Sequence, residues 1–267
     1  MEGIPAALPI DEEYIAFHLG RRQKGYGRGG RMLIEQDHAR IMSGVRHGKT
    51  LGSPIGMVIE NKDWSNWTEA MAVEHIENPS QEGRNRRVTR IRPGHADLPG
   101  TMKYGFDDVR NSLERASARE TAARVAAGSI AMKFLEEFGI KMRSHVISIG
   151  SVWAESSDDI DWQAVEESPV RCADTIAAEK MIAEIDSAKD AGDTVGGTVE
   201  IIAENVPIGL GSHVHWDRKI DGLISQALMS INAVKAVSIG PGWDVIGDWG
   251  SKVQDVIEPV TDPDNPW

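Results

Sequence analysis

A run of very small side chains between Ala116 and Ala131 most constrains how this chain can fold. Alanine and glycine dominate the run, and they let another backbone or a flat ligand approach closely. Ser117 and Glu120 have capping-box spacing, which predicts that a helix begins at Ser117. Three arginines surround this predicted start: Arg115, Arg119 and Arg124. Because free N–H groups and the helix dipole attract anions at such a start, we expect a phosphorylated ligand here.

The segment just upstream combines more arginines with a turn that carries a histidine. Its basic residues are Arg84, Arg86, Arg87, Arg90 and Arg92. Pro93-Gly94 predicts a turn, and His95 follows it, two residues before Asp97. A neutral imidazole in this position can act as an acid or a base near pH 7. The alternative is a histidine that only hydrogen-bonds its own turn, and the residues alone leave both open.

A second basic segment, Arg21–Arg31, holds four glycines and five cations in eleven residues. Arginine forks suit phosphate and carboxylate oxygens. The same composition is typical of RGG elements that bind RNA, and a solvated linker is a further alternative. The net charge of −12 argues against an RNA-binding protein. The charge is also unevenly distributed: residues 1–150 hold 22 of the 29 Lys and Arg residues, while residues 151–267 carry a net charge of −15. A local anionic site explains this asymmetry better than a nucleic-acid-binding face.

Several classes of protein are disfavoured by composition. No apolar run approaches the ~18–20 residues that span a bilayer, and Met1–Pro5 shows no secretory leader. The single cysteine, Cys172, excludes an internal disulfide, fits a reducing cytoplasm, and is expected to be an incidental thiol. His213 and His215 share a face if their segment is a strand, but no third ligand follows, so we expect no metal site.

The remaining patterns predict an α+β chain without a clear domain linker, which we interpret as a single domain over 1–267. Helices are predicted over 12–20 with Asp11 as cap, over 179–191 with Gly192 at its end, and over 217–235. Strands are predicted over 31–35, 40–45, 55–60, 88–92, 143–153, 194–203 and 237–239, the first three as an antiparallel meander. Residues 61–83, with Trp64 and Trp67, are expected to be irregular.

Five motifs occur in a distinctive order. They are Arg22 with Tyr-Gly-Arg-Gly-Gly-Arg-Met at 26–32, Ser-Gly-Val-Arg-His-Gly-Lys-Thr at 43–50, Arg-Pro-Gly-His-Ala-Asp at 92–97, the small-residue helix of 115–128, and Ala-Leu-Met-Ser-Ile-Asn-Ala-Val-Lys at 227–235. Together they closely resemble the chorismate synthase family as found in Gram-positive bacteria, over residues 3 to 254. The resemblance implies a layered β-α-β sandwich in which antiparallel sheets pack with long helices, and a homotetramer.

The resemblance also implies a function. The family converts 5-enolpyruvylshikimate 3-phosphate to chorismate, the last common step toward the aromatic amino acids, by 1,4-anti elimination of phosphate and a ring proton. It requires reduced FMN, which is not consumed overall. The resemblance leaves open whether NADPH or an external reductase reduces the flavin. The implied partner is a small phosphorylated molecule in the cytoplasm, with no nucleic acid or membrane.

The family's functional residues map onto positions of this chain. His95 matches a catalytic proton donor near the flavin. Ser117 is also assigned as a catalytic residue. The implied FMN residues are Arg115, Ala116, Ser117, Asn232 and Ala233. Arg22 and Arg28 match positions for NADP. The implied substrate residues are Arg22, Arg28, Arg92 and Arg119.

The chain also departs from the family's pattern at both ends. Family members carry a Gly-Glu-Ser-His-Gly motif with a second catalytic histidine upstream of the sequence matched by Gly3-Ile4-Pro5, and they continue well beyond residue 254. Residues 255–267 resemble no family motif. We therefore expect a fragment that is incomplete at both ends and has weak or no activity alone. A non-catalytic remnant that binds flavin or substrate, or serves as a subunit partner, is the alternative.

Overall fold

The computed structural model describes residues 1–28, 36–80, 82–157 and 159–257. The chain divides into two compact units, residues 1–206 and residues 207–267. The predicted strand over 31–35 and the tail from residue 258 lie outside the described residues. Helices and antiparallel sheets are mixed in the first unit, which confirms the α+β class.

The N-terminal part of the first unit is built around one helix and two small sheets. Its elements are β1 (Ala6–Pro9), α1 (Glu12–Gln23), β2 (Ala39–Ser43), β3 (Val45–Arg46), β4 (Lys49–Leu51) and β5 (Gly56–Ile59). Asp11 caps α1 as predicted, because its carboxylate accepts a bond from the Tyr14 N–H at 2.8 Å. The predicted antiparallel pairing of the second and third strands of the meander is confirmed, since β2 pairs with β5, while β1, β4 and β3 form a separate sheet that was not predicted.

Gly44 explains why the chain leaves β2 at that point. Its φ of +84° lies in the left-handed region, and a Cβ there would lie 2.7 Å from the Cα of Ile55. Only glycine allows both the turn and this close approach. The chain therefore turns into the β3–β4 hairpin instead of continuing the strand to residue 45.

Three helices follow: α2 (Asp97–Tyr104), α3 (Arg110–Arg115) and α4 (Glu120–Glu136). The predicted helix start at Ser117 is wrong by three residues. The Ser117 hydroxyl accepts a bond from the N–H of Arg119 at 3.2 Å, so it closes a local turn before the helix. The predicted strand over 88–92 does not form either. Instead, the backbone of Val88 bonds to Asp108 and Val109.

A third sheet and two helices complete the first unit. They are β6 (Lys141–Ile149), β7 (Val152–Trp153), α5 (Trp162–Glu167), α6 (Thr175–Asp190) and β8 (Gly197–Glu204), with strand order β7-β6-β8. The predicted strand over 143–153 is thus a hairpin that turns at Gly150, whose φ is +57°. Asp174 caps α6 four residues earlier than predicted, and Gly192 follows its end at φ +68°, as predicted.

Two clusters of buried side chains hold the first unit together. The first core cluster joins α1, the N-terminal strands and α4: Ile4, Leu8, Ile10, Ile15, Leu19, Ala39, Ile55, Ala122, Ala126 and Ile130. The second core cluster lies on α6 and the segment before it: Val170, Cys172, Ala177, Ala178 and Met181. Burial raises the pKa of the Cys172 thiol, which agrees with an unreactive cysteine.

The second unit contains α7 (Ile220–Met229) and α8 (Gly250–Val253). The predicted helix over 217–235 is shorter, because the Ser230 hydroxyl bonds the Ala227 carbonyl at 2.6 Å and Ala233 adopts φ +70°. The predicted strand over 237–239 does not form. None of the described residues of this unit is buried. Throughout the described ranges, every helix is too short or too polar to cross a bilayer.

Candidate functional site

His95 is held by a buried carboxylate. The Asp97 side chain is 0% exposed, and its Oδ1 lies 2.5 Å from Nδ1 of His95. Its Oδ2 accepts bonds from Nε and the backbone N–H of Arg92 at 3.0 and 3.1 Å. The Arg92 guanidinium, with help from His95, lowers the pKa of Asp97 to about 2. An ionised Asp97 therefore orients the imidazole at neutral pH. We call these three residues the Asp97 group.

This orientation decides which nitrogen of His95 can exchange a proton. If Nδ1–H donates to Asp97, the neutral ring keeps an acceptor lone pair on Nε2, and the protonated ring becomes a donor there. Nη2 of Arg92 lies 3.0 Å from Nε2. The His95 side chain is 25% exposed, so a ligand can approach it. Nε2 can give or take a proton once a ligand draws the Arg92 N–H away from it.

The turn that carries His95 is fixed on α3. The Ser112 hydroxyl donates to the Ala96 carbonyl at 3.1 Å. Arg110, also on α3, donates to the carbonyls of Arg84 and Arg86 at 2.9 and 3.3 Å. Both the basic segment and the histidine turn are thereby docked on the helix that leads to Arg115.

Two arginines of the basic segment and α3 clamp a tryptophan. The guanidinium carbons of Arg84 and Arg110 lie 5.0 and 5.2 Å from the ring centroid of Trp67. Asp63 accepts the indole N–H at 2.7 Å and pairs with Arg84 at 3.1 Å. The bond from Trp67, followed by those from Asn66 and Arg84, lowers the pKa of Asp63 to about 2. These contacts hold residues 61–83 in place. The segment is irregular, as predicted.

A second buried carboxylate joins two arginines that the family resemblance assigns to the substrate. Asp37 Oδ2 lies 3.2 Å from Nη1 of Arg22, and Oδ1 lies 2.5 Å from Nη1 of Arg119. The exposed fractions of the side chains are 2% for Asp37, 13% for Arg22 and 28% for Arg119. We call these residues the Asp37 group.

Arg22 has further contacts that tie α1 to the start of α4. Its Nε donates to the Thr121 hydroxyl at 3.0 Å and its Nη2 to the Ala118 carbonyl at 3.3 Å. Arg28 donates from Nη1 to the Arg22 carbonyl. Arg28 is exposed as a residue, although burial of its guanidinium lowers its pKa.

The structure brings some of the sequence-predicted residues together. Arg22 and Arg119 share Asp37, and Arg92 and His95 share Asp97. Between the two groups along the chain lie Arg115, exposed at the end of α3, and Ala116 and Ser117, half-buried in the following turn. Asn232 and Ala233 belong to the second unit, on the turn after α7.

Sequence reasoning missed Asp37 completely and did not assign a role to Asp97. Asp37 lies in a short polar stretch, and its partners are 15 and 82 residues away along the chain. Nothing local signals such a pairing. Asp97 lies two residues from His95, and that spacing is the signal that would have found it.

Arg119 also lines a cavity of about 550 Å³. Its walls are the small residues of α4 and apolar side chains of β5 and its surroundings: Met1, Ile55, Met57, Ile59, Asn61, Ala122, Ala123, Ala126 and Ala127. Apolar walls beside a guanidinium suit a ligand with an apolar body and an anionic group.

In the described residues, no three His, Cys, Asp or Glu side chains are grouped so that they could hold a metal ion. His215 bonds Asp217 at 2.8 Å.

A sequence profile of the family described as chorismate synthase matches residues 1–265. The chain is 56% identical over 261 residues to the chorismate synthase of Geobacillus sp. (strain WCH70) and 54% identical to that of Bacillus subtilis (strain 168). Each alignment covers 96% of this chain and 67% of the relative.

A solved structure described as a crystal structure of chorismate synthase superposes with a TM-score of 0.77 at 44% sequence identity. The superposition covers 96% of this chain and 68% of the other. It confirms the fold class implied by the motifs. With a profile that matches nearly every residue and relatives more than half identical, the chain belongs to the chorismate synthase family.

Proposed function

We propose that this chain provides the anion-binding arginines and the proton-transferring histidine for conversion of 5-enolpyruvylshikimate 3-phosphate to chorismate. The observation that carries the proposal is the pairing of family-motif residues around two buried carboxylates, Asp37 and Asp97. The overall reaction removes phosphate and one ring proton in a 1,4-anti elimination, which makes the enzyme a lyase of the shikimate pathway.

The substrate is held through its negative charges. It carries a phosphate and two carboxylates, and forked guanidinium groups bind such oxygens in pairs. Arg22 and Arg119 supply adjacent donors, Arg28 is exposed beside Arg22, and Arg92 lies against His95. Positive charge in this region stabilises the charge that builds on the departing phosphate.

His95 transfers a proton through Nε2. Asp97 holds Nδ1 and keeps the ring oriented, because the carboxylate is ionised at neutral pH. Ser117 has its hydroxyl oxygen bonded by the N–H of Arg119, so its own proton remains available for a ligand.

The donor set around Ser117 fits a flavin phosphate. Arg115 is exposed, Ser117 offers a hydroxyl, and Ala116 between them leaves room for a close approach. These three residues are the proposed FMN contacts of the first unit, and Asn232 and Ala233, in the second unit, are proposed as FMN contacts from the resemblance alone. When bound, reduced FMN supplies electrons that are regained by the end of the turnover. NADPH, with Arg22 and Arg28 as its proposed contacts, would be the reductant if the enzyme reduces its own flavin.

Anaerobic titration of the purified chain with FMN and 5-enolpyruvylshikimate 3-phosphate tests the proposal. We expect quenching of flavin fluorescence that depends on the substrate, and chorismate as the product of any turnover. Arg115→Ala and Asn232→Ala should each raise the Kd for FMN, as measured by the quenching, by roughly tenfold. Each substitution removes one charged or polar contact. Quenching that neither variant changes would show that the flavin is assigned to the wrong residues.

Turnover and assembly are tested separately. Ready chorismate formation by the 267-residue chain would contradict the expectation of weak activity. Phosphate release without chorismate would contradict the proposed reaction. The homotetramer proposed from the resemblance is checked by light scattering, and flavin reduction by NADPH is followed under anaerobic conditions.

A further inference from the structure

Asp37 is placed unusually for a carboxylate beside an anion-binding site. It is almost fully buried, and each of its oxygens faces a different guanidinium, from α1 and from the residue preceding α4. A substrate phosphate that binds Arg22 and Arg119 therefore meets a fixed negative charge at the same donors. The repulsion between this charge and a dianion is substantial in a partly buried site.

Removal of Asp37 would not release Arg22 from its position. Nε and Nη2 of that guanidinium are bonded to Thr121 and Ala118 independently of Asp37. Without the carboxylate, however, two guanidinium groups would remain close together with less compensation for their charge. Uncompensated charges at low exposure destabilise the folded chain and strengthen its attraction for an external anion.

We propose that Asp37 is an internal counter-ion of the anion site. It neutralises Arg22 and Arg119 while the site is empty, and it competes with phosphate for their N–H groups when the site fills. Its role is to limit how tightly phosphate is held, so that the phosphate released in the reaction can leave. The inference rests on the proposed function, since that assigns Arg22 and Arg119 to a phosphorylated substrate.

Inorganic phosphate is the probe, because its binding does not depend on flavin or turnover. Asp37→Asn should be less stable than the wild-type chain without phosphate but should bind phosphate roughly tenfold more tightly, the effect of removing one partly screened charge. Its unfolding temperature should therefore rise more steeply with phosphate concentration than that of the wild type. Isothermal titration gives the affinities, and thermal unfolding gives the stabilities.

Glu166→Gln is the matched control. Glu166 also joins two arginines, Arg21 and Arg171, at 2.7 and 3.0 Å, outside the proposed site. This variant should lose stability without any change in phosphate affinity. Asp37→Glu keeps the charge and should respond to phosphate as the wild type does.

Three results separate the inference from the proposed function. If the wild type binds phosphate through Arg119, as shown by loss of binding in Arg119→Gln, and Asp37→Asn binds it equally or more weakly, the counter-ion role is overturned and the arginine site stands. If neither chain binds phosphate, both are overturned. If Asp37→Asn does not fold, phosphate should still shift the Asp37 carboxyl ¹³C signal of the wild type, and an unchanged signal rejects the inference.

Discussion

Asp97 connects two roles at the scale of single residues, since it stabilises the fold and orients His95. Its carboxylate is fully buried, yet it is ionised, because Arg92 and His95 provide all of the compensation. A buried ion pair of this kind contributes little net stability compared with an apolar replacement, but loss of one partner is costly. Stability and the proposed proton transfer therefore depend on the same side chain.

Asp97→Asn should lower the free energy of unfolding at pH 7 by about 1–3 kcal/mol. The folded-state pKa of about 2 lies below the ordinary aspartate value of 3.8, so the ionised carboxylate stabilises the fold above about pH 4. That stabilisation is lost as the pH falls from about 4 toward 2. Urea unfolding should show a constant difference between wild type and variant from about pH 5 to 7, which shrinks below about pH 4.

Glu77→Gln, at an exposed acid, provides the control for this titration. Its difference from the wild type should stay near zero throughout the same range. A difference for Asp97→Asn that grows on acidification would contradict the assignment of a low pKa to Asp97.

In a chimaera that joins this chain to the remaining third of a relative, His95→Gln should lower chorismate formation by ~10²–10⁴, the usual contribution of a general acid or base. Because we propose that arginines hold the substrate, its affinity should remain within about threefold of the wild type. Steady-state rates and titration of the substrate separate the two effects. His38→Gln, at an exposed histidine that bonds Glu12, is the control. Unchanged turnover in His95→Gln would leave that residue with a structural role only.

At the scale of elements, the contact between α2 and α3 positions the histidine turn. Gly100 on α2 lies directly against Ser112 on α3, and both residues bond the Ala96 carbonyl, the hydroxyl of Ser112 at 3.1 Å and the N–H of Gly100 at 3.0 Å. A side chain at position 100 would clash with the Ser112 hydroxyl. The absence of a side chain therefore keeps the two helices close.

Gly100→Ala should destabilise the chain by about 1–3 kcal/mol, although alanine is the better helix former by about 1 kcal/mol. Rotation of the Ser112 hydroxyl away from the added methyl would break its bond to the Ala96 carbonyl, which helps to hold the turn that bears His95, so any turnover should fall together with stability. Gly128→Ala on α4 is the matched control, since no atom lies within 4 Å of the added Cβ. It should raise stability by about 0.5–1 kcal/mol. Chemical unfolding of both variants checks these signs, and equal effects would reject the packing argument.

At the scale of the whole molecule, burial is unequal between the two units. The first unit contains both core clusters, whereas the described residues of the second include none that is buried. Apolar residues of α7, such as Ile220 and Leu223, are exposed. Backbone protection follows buried contacts, so stability should be unequal as well.

Hydrogen exchange should therefore be faster by at least about tenfold in α7 than in the β6–β8 pairing of the first unit. Mass spectrometry of peptides from the two regions measures the difference, and peptides from α4 provide a second internal reference. Equal protection in α7 and β6 would show that exposure of the apolar residues is a poor guide to stability here.

The sequence predicted local features well where a short-range rule governs them. Asp11 caps α1 and Gly192 follows α6, because each acts on its own turn of helix. Ser117 misled the prediction of α4, since its hydroxyl bonds the N–H of Arg119 in a turn that precedes the helix. The pairing of Arg22 with Arg119 through Asp37 could not be read from the chain, because it depends on how α1 packs against α4.

Because Cys172 is buried, thiol labelling can measure how often the second core cluster opens. A thiol reagent reaches the sulfur only when the second core cluster opens, since the side chain is buried and its thiolate is disfavoured. The chain has one cysteine, so the labelling signal comes from one place. The rate of labelling in native buffer therefore measures how often that cluster opens. A rate that changes on addition of ligand would show that ligand binding at the arginines alters the stability of α6.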